Sequence, residues 1–237
     1  MYIETTNSTN TLLREMVAAG NPLEYIYTGY QSAGRGQSGN GWESEEGKNL
    51  LCSILLPPRE NLFELNVVTS VAVQRLLGEQ FSIKWPNDIY YGDRKIAGIL
   101  IENAIIGNEI RYSIAGIGLN VNQTEWRSNA PNPVSWKEVD GIERNIDELM
   151  ERLMEQVQVA LNEDVWTYYK AHLYRREGFW PFVEREVSTI PTMNADLDTQ
   201  GQFRAHIADI TPQGEIVLID LQGKKRIYHF KQVRYVV

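Results

Sequence analysis

Seven residues near the middle of the chain, GIGLNVN at 116–122, constrain the fold most, because they read as one strand with two unlike faces. Side chains alternate along an extended backbone, so Gly116, Gly118, Asn120 and Asn122 share one face and Ile117, Leu119 and Val121 the other. The second face is core. The first is nearly bare backbone ending in two amides, on which a flat ligand can lie. Glycine in a strand also marks bulges or close packing, and the sequence leaves those readings open.

That strand belongs to a series. Lys95 to Ile106 and Glu109 to Val121 pair across a hairpin signal at Gly107-Asn108, and Gly92-Asp93 marks a second hairpin after Ile89 to Tyr91. Upstream, Asn7 or Ser8 can cap a helix running to about Ala19 and stopped by Gly20; Tyr25 to Tyr30 alternates as a strand, and Asn49 to Leu56 is a continuous apolar strand ended by Pro57-Pro58. Leu62 to Leu77 has helical spacing, residues 123–136 read as a loop, and a helical pair spans about Ile146 to Glu177. The aromatics from Trp166 to Trp180 suit core or a domain joint. From about Phe182 the pattern shifts to short strands separated by Gln213-Gly214 and Gln222-Gly223, which suits a small barrel. The expected fold is therefore α+β, a mixed and largely antiparallel sheet with packed helices over 1–182, then a small β-barrel over 183–237.

At 237 residues, with 43% hydrophobic and 23% charged residues, the chain has the makings of a sizeable core. No apolar run approaches the roughly 18 residues needed to span a bilayer, and the first ten residues lack the basic and apolar regions of a secretory signal, so a cytoplasmic protein without membrane contact is expected. Cys52, the single cysteine, lies in an apolar strand and reads as buried, not as an activated thiol; His172, His206 and His229 lack metal-ligand spacing. The net charge of −8 argues against a nucleic-acid partner. Residues 184–237 carry seven basic and seven acidic side chains, so the whole excess falls on residues 1–183. An anionic substrate must then be held by locally gathered cations, and Arg35, Lys84, Arg94 and Lys95 stand beside glycines and turn residues.

Two further segments carry chemistry. Between Gly29 and Gly47 six glycines fall within 19 residues around Arg35. Such a loop brings backbone N–H groups close to a ligand, and the arginine adds a fork of donors matched to carboxylate or phosphate; a mobile connection with one solvated arginine is the bland alternative. In KWPND at 84–88, Pro86 breaks the strand and leaves Lys84, Asn87 and Asp88 together at its end. These side chains suit a phosphate, a base or sugar, and a magnesium ion, or else Asn87 and Asp88 only bond their own turn.

STN at 8–10, GRG at 34–36, KWPND at 84–88, DRKIAG at 93–98 and GIGLNVN at 116–122 occur in an order that resembles the biotin–protein ligases over nearly the whole length. The resemblance implies a class II synthetase-like catalytic domain followed by an SH3-like barrel. It implies that biotin's carboxylate attacks the α-phosphate of MgATP, releasing pyrophosphate and giving biotinyl-5'-AMP, and that a lysine of a biotin carboxyl carrier domain then takes the biotinyl group. Lipoate–protein ligase, of related fold, and a biotin or nucleotide sensor without turnover are the alternatives. By resemblance, Ser8, Thr9, Asn10 and Gln31 bond the ureido ring and its neighbours, Arg35 and Gly36 face carboxylate and phosphate, and Lys95 stabilises charge at the transferring centre. Gln37, Gly98, Gly116 and Gly118 complete the biotin site, and Lys84, Asn87, Asp88 and Asn120 serve the nucleotide, with Asp88 a candidate for Mg2+.

The resemblance also sets expectations at the edges. Members that act as repressors carry a DNA-binding domain in front, and this chain opens only a few residues before Ser8, so an enzyme without repressor function is expected. A homodimer is compatible with the family. Many members have arginine where this chain has Gln37, and a neutral amide would retain the adenylate less tightly. The adenine-covering loop falls within 123–136, with Trp126 and Trp136 both available. Strict alternation puts Lys95 and Gly98 on opposite faces, so contact of both with ligand requires main-chain action or a bulge.

Overall fold

The computed structural model describes residues 1–37, 41–107, 109–128, 130–185 and 201–236. Part of the glycine loop (38–40), Asn108 of the expected hairpin and Asn129 of the expected loop lie outside the described residues.

Seven strands form one mixed sheet in the order β1-β2-β3-β7-β6-β5-β4. They are β1 (Tyr2–Thr6), β2 (Tyr25–Gln31), β3 (Leu50–Leu56), β4 (Ser82–Lys84), β5 (Asp88–Tyr91), β6 (Arg94–Ile106) and β7 (Glu109–Leu119). All neighbours are antiparallel except β1, which lies parallel to β2. Sequence pattern missed β1, because an edge strand whose side chains are mostly exposed shows no alternation of burial.

The helices cover the sheet unequally. On one face α2 (Leu62–Leu77) and α4 (Ile146–Leu161) bury their apolar stripes against Ile54, Ile99, Ala115 and Ile117. Each begins on an asparagine: Asn61 accepts from the Phe63 N–H at 3.0 Å, and Asn145 from Asp147 at 2.8 Å. On the other face α1 (Thr9–Ala18) packs chiefly on β2, β3 and β7, through Leu13 on Ile26 and Ile114, and reaches β6 through polar side chains at Glu102. The rest of that face stays open, and the site lies there. Ser8 is the N-cap of α1, as expected, but its side chain makes no capping bond and is left for other work.

Two short helices, α3 (Trp136–Asp140) and α5 (Trp166–Ala171), complete this layer. A second, antiparallel sheet follows in the order β11-β10-β9-β8-β12, from β8 (Trp180–Glu184), β9 (Gln202–Ile210), β10 (Ile216–Asp220), β11 (Lys225–Tyr228) and β12 (Val233–Tyr235). It is consistent with an SH3-like barrel, and β8 straddles the expected boundary at 182/183. Its core residues Phe182, Phe203, Ile207 and Leu218 are continuous with the main core. Across the joint, the Trp85 indole N–H donates to the Gly214 carbonyl at 3.0 Å, Arg176 to that of Ile207 at 2.7 Å, and Arg175 to that of Val236 at 2.7 Å. Phe63 lies flat against Gly214, whose φ of +87° and lack of Cβ allow both the turn and the contact. Trp166 lies tilted and Tyr169 edge-on against Phe63, so that part of the aromatic cluster is the domain joint.

Candidate functional site

The register of β6 on β7 builds the floor. Gly98 stands beside Gly118 and Leu100 beside Gly116, with Ser53 of β3 flanking Gly116 on the other side. Two glycines abreast leave a strip of bare backbone. The Trp42 indole rests on it, so that a methyl group at Gly118 would overlap the ring and one at Gly98 would come within 2.9 Å. Trp42 is a site residue that sequence reasoning missed; its position just after the glycine loop was the available signal.

Above this floor opens a cavity of about 1200 Å³, larger than the roughly 300–1,000 Å³ usual for one small ligand and sufficient for two side by side. Ser8, Thr9, Asn10, Gln31, Arg35, Gly36, Gln37, Lys84, Asn87, Asp88, Lys95, Gly98, Gly116 and Gly118 all line it. Asn120 does not. It is buried behind the wall, where Nδ2 donates to the Val134 carbonyl at 3.1 Å. Asn122, on the same alternation, exchanges bonds with the Arg144 backbone and is structural.

At one end the start of α1 gathers polar groups. Thr9 donates from its backbone N–H at 2.8 Å and its hydroxyl at 3.1 Å to Gln31 Oε1, which leaves the Gln31 amide nitrogen free for the pocket. The buried Ser53 hydroxyl lies 2.7 Å from Thr9 Oγ1 and 2.5 Å from Asn10 Oδ1. Arg35 is turned toward Thr11, at 3.1 Å, and Glu102, at 3.4 Å.

At the other end the broken strand does its work. Asn87 does not close its own turn: it donates to Asn66 at 2.6 Å and accepts from Gln37 at 3.0 Å. Asp88 pairs with Lys95 at 2.7 Å. Lys95 reaches it because the register between β5 and β6 slips at Ile89/Tyr90, where Tyr90 opposes Lys95 and Ile89 opposes Ala97. The extra residue, Ile96, is a bulge, and it brings Lys95 Nζ to within 3.1 Å of where a Gly98 Cβ would stand. Lys95 and Gly98 thus serve the same side. Residues 132–134 are zipped onto Lys95, whose N–H donates to the Asn132 carbonyl at 2.7 Å and whose carbonyl accepts from Val134 at 3.0 Å. Within that loop region Trp126 lines the cavity, whereas Trp136 is core, edge-on to Phe81 and under Arg144.

Lys84 sits among rings. Its ammonium donates to the Tyr90 hydroxyl at 2.8 Å and lies 4.4 Å from that ring's centre and 5.4 Å from that of Tyr235. Burial lowers its pKa to about 8; Asp88 pulls it back up, while Lys95 and Arg175 push it further down. Cys52 is buried beneath the floor, and burial pushes its thiol up to about 12, so it is inert. Arg234 of β12, with Lys231 in the turn before it and Arg185 just after β8, adds to the cavity wall. Nothing in their sequence setting marks them, since β12 is brought to the site only by the domain joint. Among the described residues no group of three or more His, Cys, Asp or Glu is arranged to hold a metal ion, and no helix is long and apolar enough to cross a membrane.

Comparison with known proteins bears on this geometry. Residues 2–120 match the family described as "Biotin/lipoate A/B protein ligase family". The bifunctional ligase/repressor BirA of Bacillus subtilis (strain 168) is 27% identical over 239 residues, covering 96% of this chain and 71% of its own. A biotin–[acetyl-CoA-carboxylase] ligase of Paracoccus denitrificans is 30% identical over 125 residues, 49% of this chain and 52% of the relative. The biotin protein ligase of Aquifex aeolicus, solved in complex with biotin and ATP, superposes with a TM-score of 0.77 at 22% identity over 100% of this chain and 98% of that one. That of Leishmania major, in complex with biotinyl-5-AMP, does so with a TM-score of 0.64 at 19% identity over 96% and 97%. At these identities the likeness shows the fold.

Proposed function

The chain belongs to the biotin/lipoate A/B protein ligase family, and on that premise we propose that it joins biotin to a lysine of a biotin carboxyl carrier domain through biotinyl-5'-AMP. The observation that carries this reading is one cavity with a glycine floor, a polar end at α1 and a cationic end at Lys95, sized for two ligands to meet. Biotin's carboxylate and the α-phosphate are both anions. At about 4 Å and an effective dielectric near 20, each unit repulsion costs about 4 kcal/mol, so a cation must stand between them.

In this reading Lys95, paired with Asp88 at 2.7 Å on the cavity wall, takes that role. It leaves Asp88 for the developing charge, an electrostatic task and not a nucleophilic one. Ser8, Thr9 and Gln31 offer donors and acceptors to the ureido ring, the thiophane ring lies beside the Trp42 indole that covers Gly98 and Gly118, and Arg35 and Gly36 close the loop over the carboxylate arm. The triphosphate falls to Lys84 with Arg234 of β12 and Lys231 in the turn before it, and Trp126 is the aromatic available to the adenine. Asn120 acts from behind, holding 134 against β6. Asp88 and Asp93 are the carboxylates on the cavity wall, and one or two with phosphate oxygens suffice for Mg2+, which supplies charge neutralisation on the phosphates when bound. The second step needs the carrier lysine to reach the adenylate through the same opening.

Mass spectrometry of a biotin carboxyl carrier domain incubated with this protein, biotin and MgATP tests the reading. We expect one biotinyl adduct per carrier, formed about 10²–10³-fold more slowly with Lys95→Ala. No adduct, or lipoyl transfer outcompeting biotinyl transfer when both acids are present, would refute it.

A further inference from the structure

Glu102 lies just outside the cavity. On the open face of the sheet the paired positions of β7 and β6 run in rows, Gly118 with Gly98, Gly116 with Leu100, then Ile114 with Glu102. α1 covers the third row and leaves the first two as floor. Three groups converge on the carboxylate: Asn10 Nδ2 at 2.7 Å, Arg14 at 2.9 Å and Arg35 at 3.4 Å. Asn10 and Arg14 stand one helical turn apart on α1. The two arginines are 42% and 45% exposed, so their pairing with Glu102 is weak. Asn10 is 3% exposed, and for a buried amide the choice of partner decides its orientation.

A carboxylate only accepts hydrogen bonds. The Asn10 nitrogen must therefore face Glu102, which turns the amide oxygen toward Gly116, where a methyl group would overlap it. The Ser53 hydroxyl satisfies one lone pair of that oxygen at 2.5 Å. The second remains for a donor in the cavity. We propose that Glu102 is a positioning residue that fixes Asn10 as an acceptor at the polar end of the pocket and so selects an acid whose head group carries an N–H. This deepens the biotin reading and rests on it: a cyclic urea has two such N–H groups, a dithiolane ring none.

The test uses the whole chain and calorimetric binding of biotin and its two cyclic carbamate analogues, in each of which one ring N–H is replaced by O. With the wild type, one analogue is expected to bind at least about tenfold more weakly than biotin. Glu102→Leu removes the strong acceptor and leaves the Asn10 nitrogen only the Leu100 carbonyl at 3.5 Å, so biotin should weaken about tenfold and the carbamate penalty shrink below about threefold. Glu102→Gln can still accept from Asn10, and should stay within about threefold of wild type with the penalty intact. Equal losses in the two variants, or none in Glu102→Leu, would overturn the proposal. Should Glu102→Leu fail to fold, Asn10→Asp opposes two carboxylates, and Asn10→Asp with Glu102→Gln restores a donor–acceptor pair. About tenfold recovery of biotin binding is expected from the pair, and no recovery counts against the idea. In the ligand-free protein the ¹⁵N side-chain amide signal of Asn10 should show one proton protected from solvent exchange in the wild type and in Glu102→Gln. That signal decides the orientation even where wild type binds no biotin, a result that would remove the ligase reading instead.

Discussion

Lys84 shows how a single side chain ties burial to chemistry. Its ammonium is half-buried among Tyr90, Tyr174 and Tyr235, and burial brings its pKa to about 8 despite Asp88 nearby. A base whose folded pKa lies below its ordinary value is charged only below about pH 8, so a triphosphate partner is lost above it. The same shift makes the folded state gain stability as pH rises from about 8 toward the unfolded value near 10.5, because the unfolded chain then binds the extra proton. Activity and stability should thus diverge in that window. We expect kcat/KM for ATP to fall about three- to tenfold between pH 8 and 9.5, and Lys84→Arg, whose guanidinium stays charged, to remove the fall. Matching profiles for the two proteins would deny Lys84 its phosphate role.

Among the elements, the two loops over the cavity are fastened to each other. Glu43, just past Trp42, accepts from the backbone N–H groups of Arg127 at 2.6 Å and Ser128 at 2.7 Å. Burial raises the Glu43 carboxyl, but the bonds from Ser128 and Arg127 outweigh it and hold the group below its ordinary value. Since the folded pKa is depressed, this tie contributes above the ordinary carboxylate pKa and is lost as pH falls through the lowered one. Glu43→Ala should speed hydrogen exchange at the Arg127 and Ser128 amides about tenfold, some 1.4 kcal/mol, with little change in α2 or α4. Uniform protection at both amides in the variant would show that the loops stand independently.

At the scale of the whole molecule the two sheets share one apolar cluster, and the cavity draws on both. The protein should therefore unfold in a single transition, seen together by calorimetry and far-ultraviolet circular dichroism. Phe63, wedged against Gly214, is the residue to remove. Phe63→Ala is expected to cost about 2–3 kcal/mol and lower the one Tm by about 5–10 °C. Two separated transitions would make the joint a loose contact and leave Lys231 and Arg234 without a fixed place in the site.

The residue order alone determined most of the elements and pointed to the motif residues that line the cavity, from Ser8 to Gly118, but not to Trp42 or to the wall beyond Pro133. Helix spacing in 62–77, the punctuation at Pro57-Pro58 and Gly92-Asp93, and the alternation in 116–122 are local signals, written in side-chain period and backbone permission. Long-range register decided the rest. Only pairing could reveal that Gly98 and Gly118 lie abreast, that the bulge at Ile96 swings Lys95 to their side, and that Asn120 turns away behind the wall. Only packing across the joint could bring the cations of 231–234 to a pocket built from residues 8–133. Register and packing depend on which distant surfaces fit together, and that information is held by no short segment of the chain.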